Sequence, residues 1–525
     1  MSRRAIVIGG GVSGLASAAL LAHDGWDVDL VEQADRLGGR AAVWEDDGFV
    51  FDAGPSWLLM PEVFDHFFRL LGTSLHDQLD LIRLDPGYRV FFEHYDDYVE
   101  IHADRARNVA LFGSIENGAD VALERYLESA EEAYQLAVRR FLYSTFERTT
   151  SVLTPDVIRR VPRLAVLLTR SLGRHVAARF TDQRLRQILG YPAVFLGTSP
   201  DRAPSLYHLM SWMDLADGVY YPQGGFGALI DAVARLARDA GVRIHTSTEV
   251  TTLRIDRSGR RPRVTGAEVA SGDRTTVLTA DVVVAATDLH HVETELLPRD
   301  LQTYPETWWG RRDPGPGAVL VHLGVRGELP QLAHHSLFFT ADWDRNFRAI
   351  FSAPTQVPEP ASAYVCRPSA TDPSVAPDGA ENVFVLVPVP ADPAIGRGGR
   401  DGTGDPMVEK VADAVIDQIA TWAGIPDLAD RIVLRRTVGP RDFAAGLHAW
   451  RGGALGPGHT LTQSAFLRAG NASRRVDGLL YAGSSTIPGI GLPMCLISAE
   501  LVLKRLRGDR STGPLREPLA AGVHR

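Results

Sequence analysis

The stretch "RAIVIGGGVSGLASAALLAHDGWDVDLVE", residues 4 to 32, limits the fold more than any other part of this chain. A buried strand at residues 4 to 8 runs straight into Gly9, Gly11 and Gly14, which have the G-x-G-x-x-G spacing. An apolar helix follows, stops at Gly25, and gives way to a second strand that finishes on Glu32. That order predicts a βαβ unit built to hold a dinucleotide. Gly9 permits the tight turn, Gly11 lets a pyrophosphate approach the backbone, and Gly14 packs helix on strand. Val12 and Ser13 open the helix, whose positive N-terminus faces the phosphates. Glu32 would accept hydrogen bonds from ribose hydroxyls and disfavours a 2′-phosphate. Taken alone, the motif leaves NAD and FAD both open.

The next residues separate them. "LGGR" at 37 to 40 adds a second glycine pair, with Gly39 followed by Arg40, and "FDAGPSWLLMP" follows at 51 to 61. In a plain NAD dehydrogenase the second strand would lead on to another helix. Here the chain returns to the dinucleotide, and Arg40 can offer its guanidinium fork to the pyrophosphate or a neighbouring ribose. The arrangement resembles the two-dinucleotide-binding-domain flavoproteins, which include amine oxidases and carotenoid desaturases.

A chain of 525 residues exceeds what one core usually organises, so two or more domains are expected. A formal net charge of -9 argues against a general nucleic-acid binder. Cys366 and Cys495 cannot build a disulfide framework and point to a reducing compartment. The opening apolar run is too short for a signal peptide, and no stretch approaches 18 uninterrupted apolar residues. The expected location is cytoplasmic, with at most a peripheral hold on a membrane.

Past residue 62 the βαβ rhythm is lost and helical spacing takes over, as in "VALERYLESAEEAYQLAVRRFL". It returns in "YYPQGGFGALIDAVARLARDAGVRIHTSTEV", read as turn, helix and a strand ending at Val250. In the resembling flavoproteins the last residue of such a strand meets the adenine through its backbone. "ADVVVAATD" is a further buried strand, reaching the cofactor edge at Ala286 and Thr287. The loops "RPSATDPSVAPDG" and "GRGGRDGTGDP" read as mobile surface insertions. The expected fold is α/β: a Rossmann-like FAD-binding domain in discontinuous pieces (1–75, 216–290, 441–508), a helical cap region (76–215) and a mixed α+β substrate-binding domain (291–440). Residues 509–525 read as a frayed tail.

"GLLYAGSSTIPGIGLPM" closes the arrangement: a buried strand re-enters the sheet, and "GIGLPM" opens the last helix. Backbone donors at the start of that helix, where Leu492, Pro493 and Met494 stand, can reach a ribityl chain, a phosphate or a flavin edge. Gly489 and Gly491 would let a flat ring lie close to the main chain. Most flavoproteins of this superfamily carry an Asp after the strand's glycine; here Ser484 follows Gly483. Together with "LGGRA", "YPQGGFGALIDA" and "FLGTSPDRAPSLYHLMSWMD", this block resembles the bacterial carotenoid desaturases of the phytoene desaturase type, essentially end to end.

The resemblance implies FAD as acceptor of hydride from a long polyene such as phytoene on its way to lycopene, with a quinone or oxygen taking the electrons on. A hydrocarbon offers nothing to a charged clamp, so an apolar tunnel is expected, with orientation and water exclusion as the protein's share. The catalytic residues stay unknown. Asp52, Glu124 and Asp214 are candidate proton acceptors, each equally readable as a structural acid. The His290-His291 and His334-His335 pairs lack H-E-x-x-H or Cys-x-x-Cys partners, so no metal is expected. Cys495 reads as a small buried residue. The competing readings are a carotenoid isomerase, ketolase or C30 desaturase, and a flavin-free prenyl-chain escort like the Rab GDP-dissociation inhibitors. Finally, residues 155 to 186 form a basic segment, with a helix starting at Thr154 and Pro155 and restarting at Pro162. It sets Arg163, Arg170 and Arg174 opposite Leu168, Leu172 and Val176, a pattern suited to a membrane surface.

Overall fold

The computed structural model describes residues 3–147, 155–352 and 354–520. Its organising layer is a five-stranded, all-parallel sheet in the order Leu479–Tyr481, Val282–Ala285, Arg4–Ile8, Asp27–Val31, Arg243–His245. Three stretches that lie hundreds of residues apart in sequence therefore meet side by side. The run "AIVI" is apolar at every position because both faces of its strand are covered. Ala5 and Val7 join the core beneath the helices Val12–His23, Gly225–Asp239 and Leu492–Arg507. Ile6 and Ile8 face an antiparallel three-stranded layer, Glu249–Asp256, Arg263–Ser271 and Arg274–Thr279.

The second large sheet has seven strands, in the order Ile432–Val438, Gly317–Arg326, Ala380–Val389, Ala363–Cys366, His335–Phe339, Tyr88–Phe92, Tyr98–Ile101. All its pairs are antiparallel except His335–Phe339 with Tyr88–Phe92. Period-two alternation divides the strand Gly317–Arg326 between two cores. Ala318 and Leu320 face the helical region that includes Ala119–Ala137, whereas Val319, Val321, Leu323 and Val325 pack under the helix Pro406–Trp422.

Several expectations change. Val250 lies at the start of the antiparallel strand Glu249–Asp256, not at the end of one, because the parallel strand before it already stops at His245. The two loops read as surface insertions are pinned: Asp372 is fully buried and accepts from the Gly224 amide (2.7 Å) and the Tyr221 hydroxyl (3.2 Å). The Thr437 amide donates to the Gly399 carbonyl at 2.8 Å, tying the second loop to the sheet edge. Residues 509–520 do not fray. Leu515 and Leu519 enter the core of the parallel sheet's helical layer, and the Lys504 ammonium donates to the carbonyls of Ser511 and Gly513. Residues 521–525 lie outside the described residues.

The basic segment is rearranged too. Thr154 lies outside the described residues, and the helix Pro155–Thr169 runs straight through Pro162. It stops before Arg170, whose guanidinium donates to the Arg174 carbonyl, and a separate short helix, Leu172–Ala177, begins. Leu172 and Val176 are buried in the cap core, and Arg163 is paired with Glu132. The single stripe of arginines opposite a leucine face is not formed. Val161, Val166 and Leu168 stay exposed on this helix, beside exposed Arg159 and Arg163.

Candidate functional site

A cavity of about 930 Å³ runs from the first turn of the parallel sheet to the cap helices. At its nucleotide end the predicted residues converge. Gly9, Gly11, Val12, Ser13, Glu32, Gly39, Arg40 and Val250 all line it, as do Ala286 and Thr287. Gly9 has φ 102°, and a side chain there would press on the Ala286 backbone. Gly14 does not line the cavity; a Cβ on it would run into the Gly9 carbonyl oxygen, so it serves helix-on-strand packing as expected. A Cβ at Gly11 would meet nothing nearer than the Gly38 oxygen at 3.7 Å, leaving a passage that a larger side chain would fill. The second glycine pair does return to the first: the Gly38 amide donates to the Gly10 carbonyl at 2.9 Å.

Glu32 is tied down in the same turn. Its carboxylate accepts from the amides of Gly10 (2.6 Å) and Ala34 (2.8 Å) while it borders the cavity. Arg40 donates through Nε to the Ala454 carbonyl (2.9 Å). Burial pulls its guanidinium below the ordinary value, and the Asp288 carboxylate opposes this. Asp288, which the sequence did not flag, also lines the cavity and is itself raised by burial, with Arg40 acting the other way. A cradle of bare glycines, a helix N-terminus, a carboxylate at the strand end and an arginine fits the dinucleotide of FAD.

The late glycine loop supplies the opposite wall. Gly483, Ser484, Gly491, Leu492, Pro493 and Met494 line the cavity, and so does Cys495, whose thiol is pushed up to about 11 by burial. Gly489 is a correction. It does not border the cavity, and a Cβ there would overlap the imidazole of His459, so its missing side chain makes room for that ring. His459 Nε2 sits 3.1 Å from the Ile490 amide, which can only donate, so Nε2 carries the lone pair. Nδ1 then donates to the Tyr207 oxygen (2.6 Å), and the Tyr207 hydroxyl donates to Ser464 Oγ (3.0 Å). Buried Arg468 holds the same loop through the carbonyls of Ser484, Thr486 and Gln463. None of these clamps has a spacing that sequence reading could recognise.

Beyond the loop the cavity is apolar. Every lining residue contributed by the chain from Leu59 to Met213 is uncharged. The cavity opens at Leu168, Leu461, Phe466 and Leu467, which line it and are also exposed, Phe466 to 61%. The three candidate acids do not reach it. Asp52 caps the backbone of Phe226 (3.0 Å) and is raised to about 7 by burial. Asp214, also raised to about 7 by burial, accepts from Tyr88 and Tyr191 behind the wall, and Glu124 pairs with Arg105.

The histidine pairs diverge. His290 bonds Glu306 (2.7 Å), while His291 stacks on His448 with centroids 3.9 Å apart at the cavity edge. His334 and His335 are buried, and folding brings Cys366 beside them, a partner that sequence spacing could not show. One ligand-capable atom from each of the three lies within 4.8 Å of the others.

Comparison with known proteins agrees with this geometry. The family model described as "Flavin containing amine oxidoreductase" matches residues 12–502. The carotenoid 3,4-desaturase of Haloarcula japonica is 41% identical over 503 residues, 96% of this chain and 98% of that protein. The zeta-carotene-forming phytoene desaturase of Myxococcus xanthus is 35% identical over 508 residues, 96% of this chain and 94% of the other. Among solved structures, putrescine oxidase superposes with a TM-score of 0.59 at 15% identity, covering 97% of this chain and 99% of that one; at such identity the likeness is one of fold.

Proposed function

This chain belongs to the flavin containing amine oxidoreductase family, among its carotenoid desaturases, and from that premise we propose that it desaturates a long polyene with bound FAD as oxidant. The observation that carries the reading is the continuity of one cavity, from the glycine cradle at Gly11 past the late loop into an uncharged passage ending on exposed apolar residues. A hydrocarbon fits such a passage, since it has no polar group to pair and gains from leaving water. Bound FAD would supply the two-electron acceptor for a hydride. The chain's own part is to hold the nucleotide through Gly11, Ser13, Glu32 and Arg40, to set the ring end against Gly483 to Met494, and to keep the polyene oriented and dry.

The finer reading is desaturation of phytoene towards lycopene, supported by the name of the Myxococcus xanthus relative. The higher identity to the Haloarcula japonica protein favours a second reading, desaturation of a carotenoid at its 3,4 position. Expression in two bacterial hosts, one accumulating phytoene and one lycopene, followed by pigment chromatography, separates them. New pigments in the phytoene host support the first reading, and in the lycopene host alone the second. A flavin-free preparation inert in both would favour the escort reading and end the desaturase one.

The open end of the cavity is proposed to rest on a membrane surface, where a water-insoluble substrate is stored and a quinone acceptor can be met; oxygen is the alternative acceptor. Exposed Leu168, Leu461, Phe466 and Leu467 support this, and no helix among the described residues is long and apolar enough to cross a bilayer.

A further inference from the structure

The desaturation just proposed leaves a proton to dispose of. For each double bond one hydrogen departs with two electrons to the flavin acceptor. Its neighbour departs as a proton, and the electron pair of that C–H bond becomes the new π bond. An uncharged passage cannot hold a proton, which must be taken up at a wall and carried out. Among the polar groups on the wall of the passage, His459 has both ring nitrogens committed, to Ile490 and Tyr207. Cys495 sits at the Arg40 end.

We propose that Tyr364 is the proton acceptor of the site and that His335, His334 and Thr371 form its route to the surface. Tyr364 and Ser56 both line the cavity, their hydroxyl oxygens 2.5 Å apart. On its other side the Tyr364 oxygen lies 2.8 Å from His335 Nδ1. Trp57, also on the cavity wall, stacks on the His335 ring (centroids 4.7 Å, 17° between planes) and fixes its plane. At the far end His334 Nδ1 lies 2.7 Å from Thr371 Oγ1, and Thr371 is half-buried at the surface. His334 Nε2 and His335 Nε2 are both buried and without a hydrogen-bond partner among the described residues. The two rings pack with centroids 4.5 Å apart, and ligand-capable atoms of the pair and of Cys366 lie within 4.8 Å of one another, so a proton can pass between the rings directly or through one water molecule.

At rest Ser56 donates to the Tyr364 oxygen, Tyr364 donates to His335 Nδ1, and His335 carries its proton on Nε2. The proton leaving carbon attaches to the Tyr364 oxygen as the tyrosine's own hydroxyl proton passes to Nδ1. The imidazolium then gives up its Nε2 proton to His334 Nε2, and His334 releases its Nδ1 proton by way of Thr371. Charge and atoms balance at each transfer, and each ring ends neutral with its proton on the other nitrogen. Burial pushes both imidazoles far below their ordinary value, so they rest neutral and hold a proton only in passing. A weak base suffices, because carbon beside a hydride-depleted centre is strongly acidic.

The same three side chains could instead hold a soft metal ion, since ligand atoms within 4.8 Å of one another admit tetrahedral ligation, and an ion there would block the route. The test uses the flavin-loaded full chain. Tyr364→Phe should lower kcat about 100-fold with KM within twofold, and His335→Gln and His334→Gln should lower it by smaller factors. Independently of turnover, ¹⁵N spectra of ring-labelled histidine should show one neutral imidazole with unprotonated Nδ1, whose Nδ1 signal moves in Tyr364→Phe. Wild-type kcat in Tyr364→Phe, a protonated Nδ1 on His335, or stoichiometric zinc or copper in the purified protein would each overturn the route. A wild type that desaturates nothing would sink the desaturase reading and the route together, whereas turnover that survives in Tyr364→Phe sinks the route alone.

Discussion

Gly489 and His459 share one contour: the imidazole occupies the space that a Cβ on residue 489 would need. The consequence reaches the cavity, because His459 holds the Ile490 amide and, through Tyr207, the Ser464 loop. Gly489→Ala should therefore destabilise by about 2 to 4 kcal/mol, from overpacking plus the strain of a left-handed φ at that residue. In the Gly489→Ala/His459→Ala pair the costs should fall short of their sum by about 1 kcal/mol or more, since the clash is removed only once. Urea unfolding of the four proteins measures this. Strict additivity would show that the two residues do not compete for space.

Gly11 offers a cleaner separation of folding from binding. Its Cβ position is open on the protein side, with the Gly38 oxygen 3.7 Å away, but faces the cavity. Gly11→Val should fold with near wild-type stability and purify with most of its flavin lost, read from absorbance near the flavin bands against protein concentration. A fully yellow Gly11→Val protein would remove this turn from the cofactor site.

The parts of the fold that were legible from sequence are those where local pattern and tertiary demand coincide. The glycines of the first turn, Glu32 and the strand at 282–285 stand where their spacing put them, because the βαβ unit is complete within a few dozen residues. Legibility fails where one residue's role depends on a remote neighbour. Gly489 looks like a place for a flat ring until His459, thirty positions upstream, is seen beside it. Asp52, Asp214 and Glu124 have the right chemistry, yet each is spent on backbone or side-chain partners outside the cavity. Tyr364, His335 and Ser56 meet only because strands at 335–339 and 363–366 pair and a loop from the first domain reaches them. Pro162 predicted a restart, but the helix continues through it, its apolar residues divided among the protein interior, the cavity wall and solvent.

A buried histidine just behind the cavity wall should give the fold an acid-sensitive element. His322, on the strand Gly317–Arg326, is packed edge-on against Trp44 and Phe51, and burial pushes its imidazole down to about 4. In the unfolded chain the same ring takes a proton near its ordinary value of about 6.5. Below that pH the unfolded state binds a proton the folded state refuses, so stability falls as pH drops from about 6.5 towards 4. Between pH 7.5 and pH 5 the loss from this one group is about 2 kcal/mol. His322→Phe should abolish that part, so its stability relative to wild type should improve on acidification. Parallel denaturant curves at the two pH values check this, and an equal difference at both would show that His322 does not resist protonation.

The membrane proposal now makes a prediction different from the one a basic stripe would make. Arg163 is engaged with Glu132 and Arg170 with the Arg174 carbonyl, so these two arginines have partners within the protein. Exposed apolar side chains mark the opening: Leu168, Phe466 and Leu467 ring it at 36%, 61% and 44% exposure, with Val166 nearby on the same helix. Sinking each of these half-exposed side chains into the acyl boundary is worth about 1 kcal/mol. Changing Leu168, Phe466 and Leu467 together to Ser should thus cost about 3 kcal/mol, or roughly a hundredfold in vesicle partitioning. The variant should keep its flavin, because the nucleotide cradle lies at the other end of the cavity. Replacing Arg163, Arg170 and Arg174 by Glu should change sedimentation with neutral vesicles little. If the arginine variant is released from neutral vesicles while the serine variant sediments like wild type, docking does not occur through the rim of the cavity.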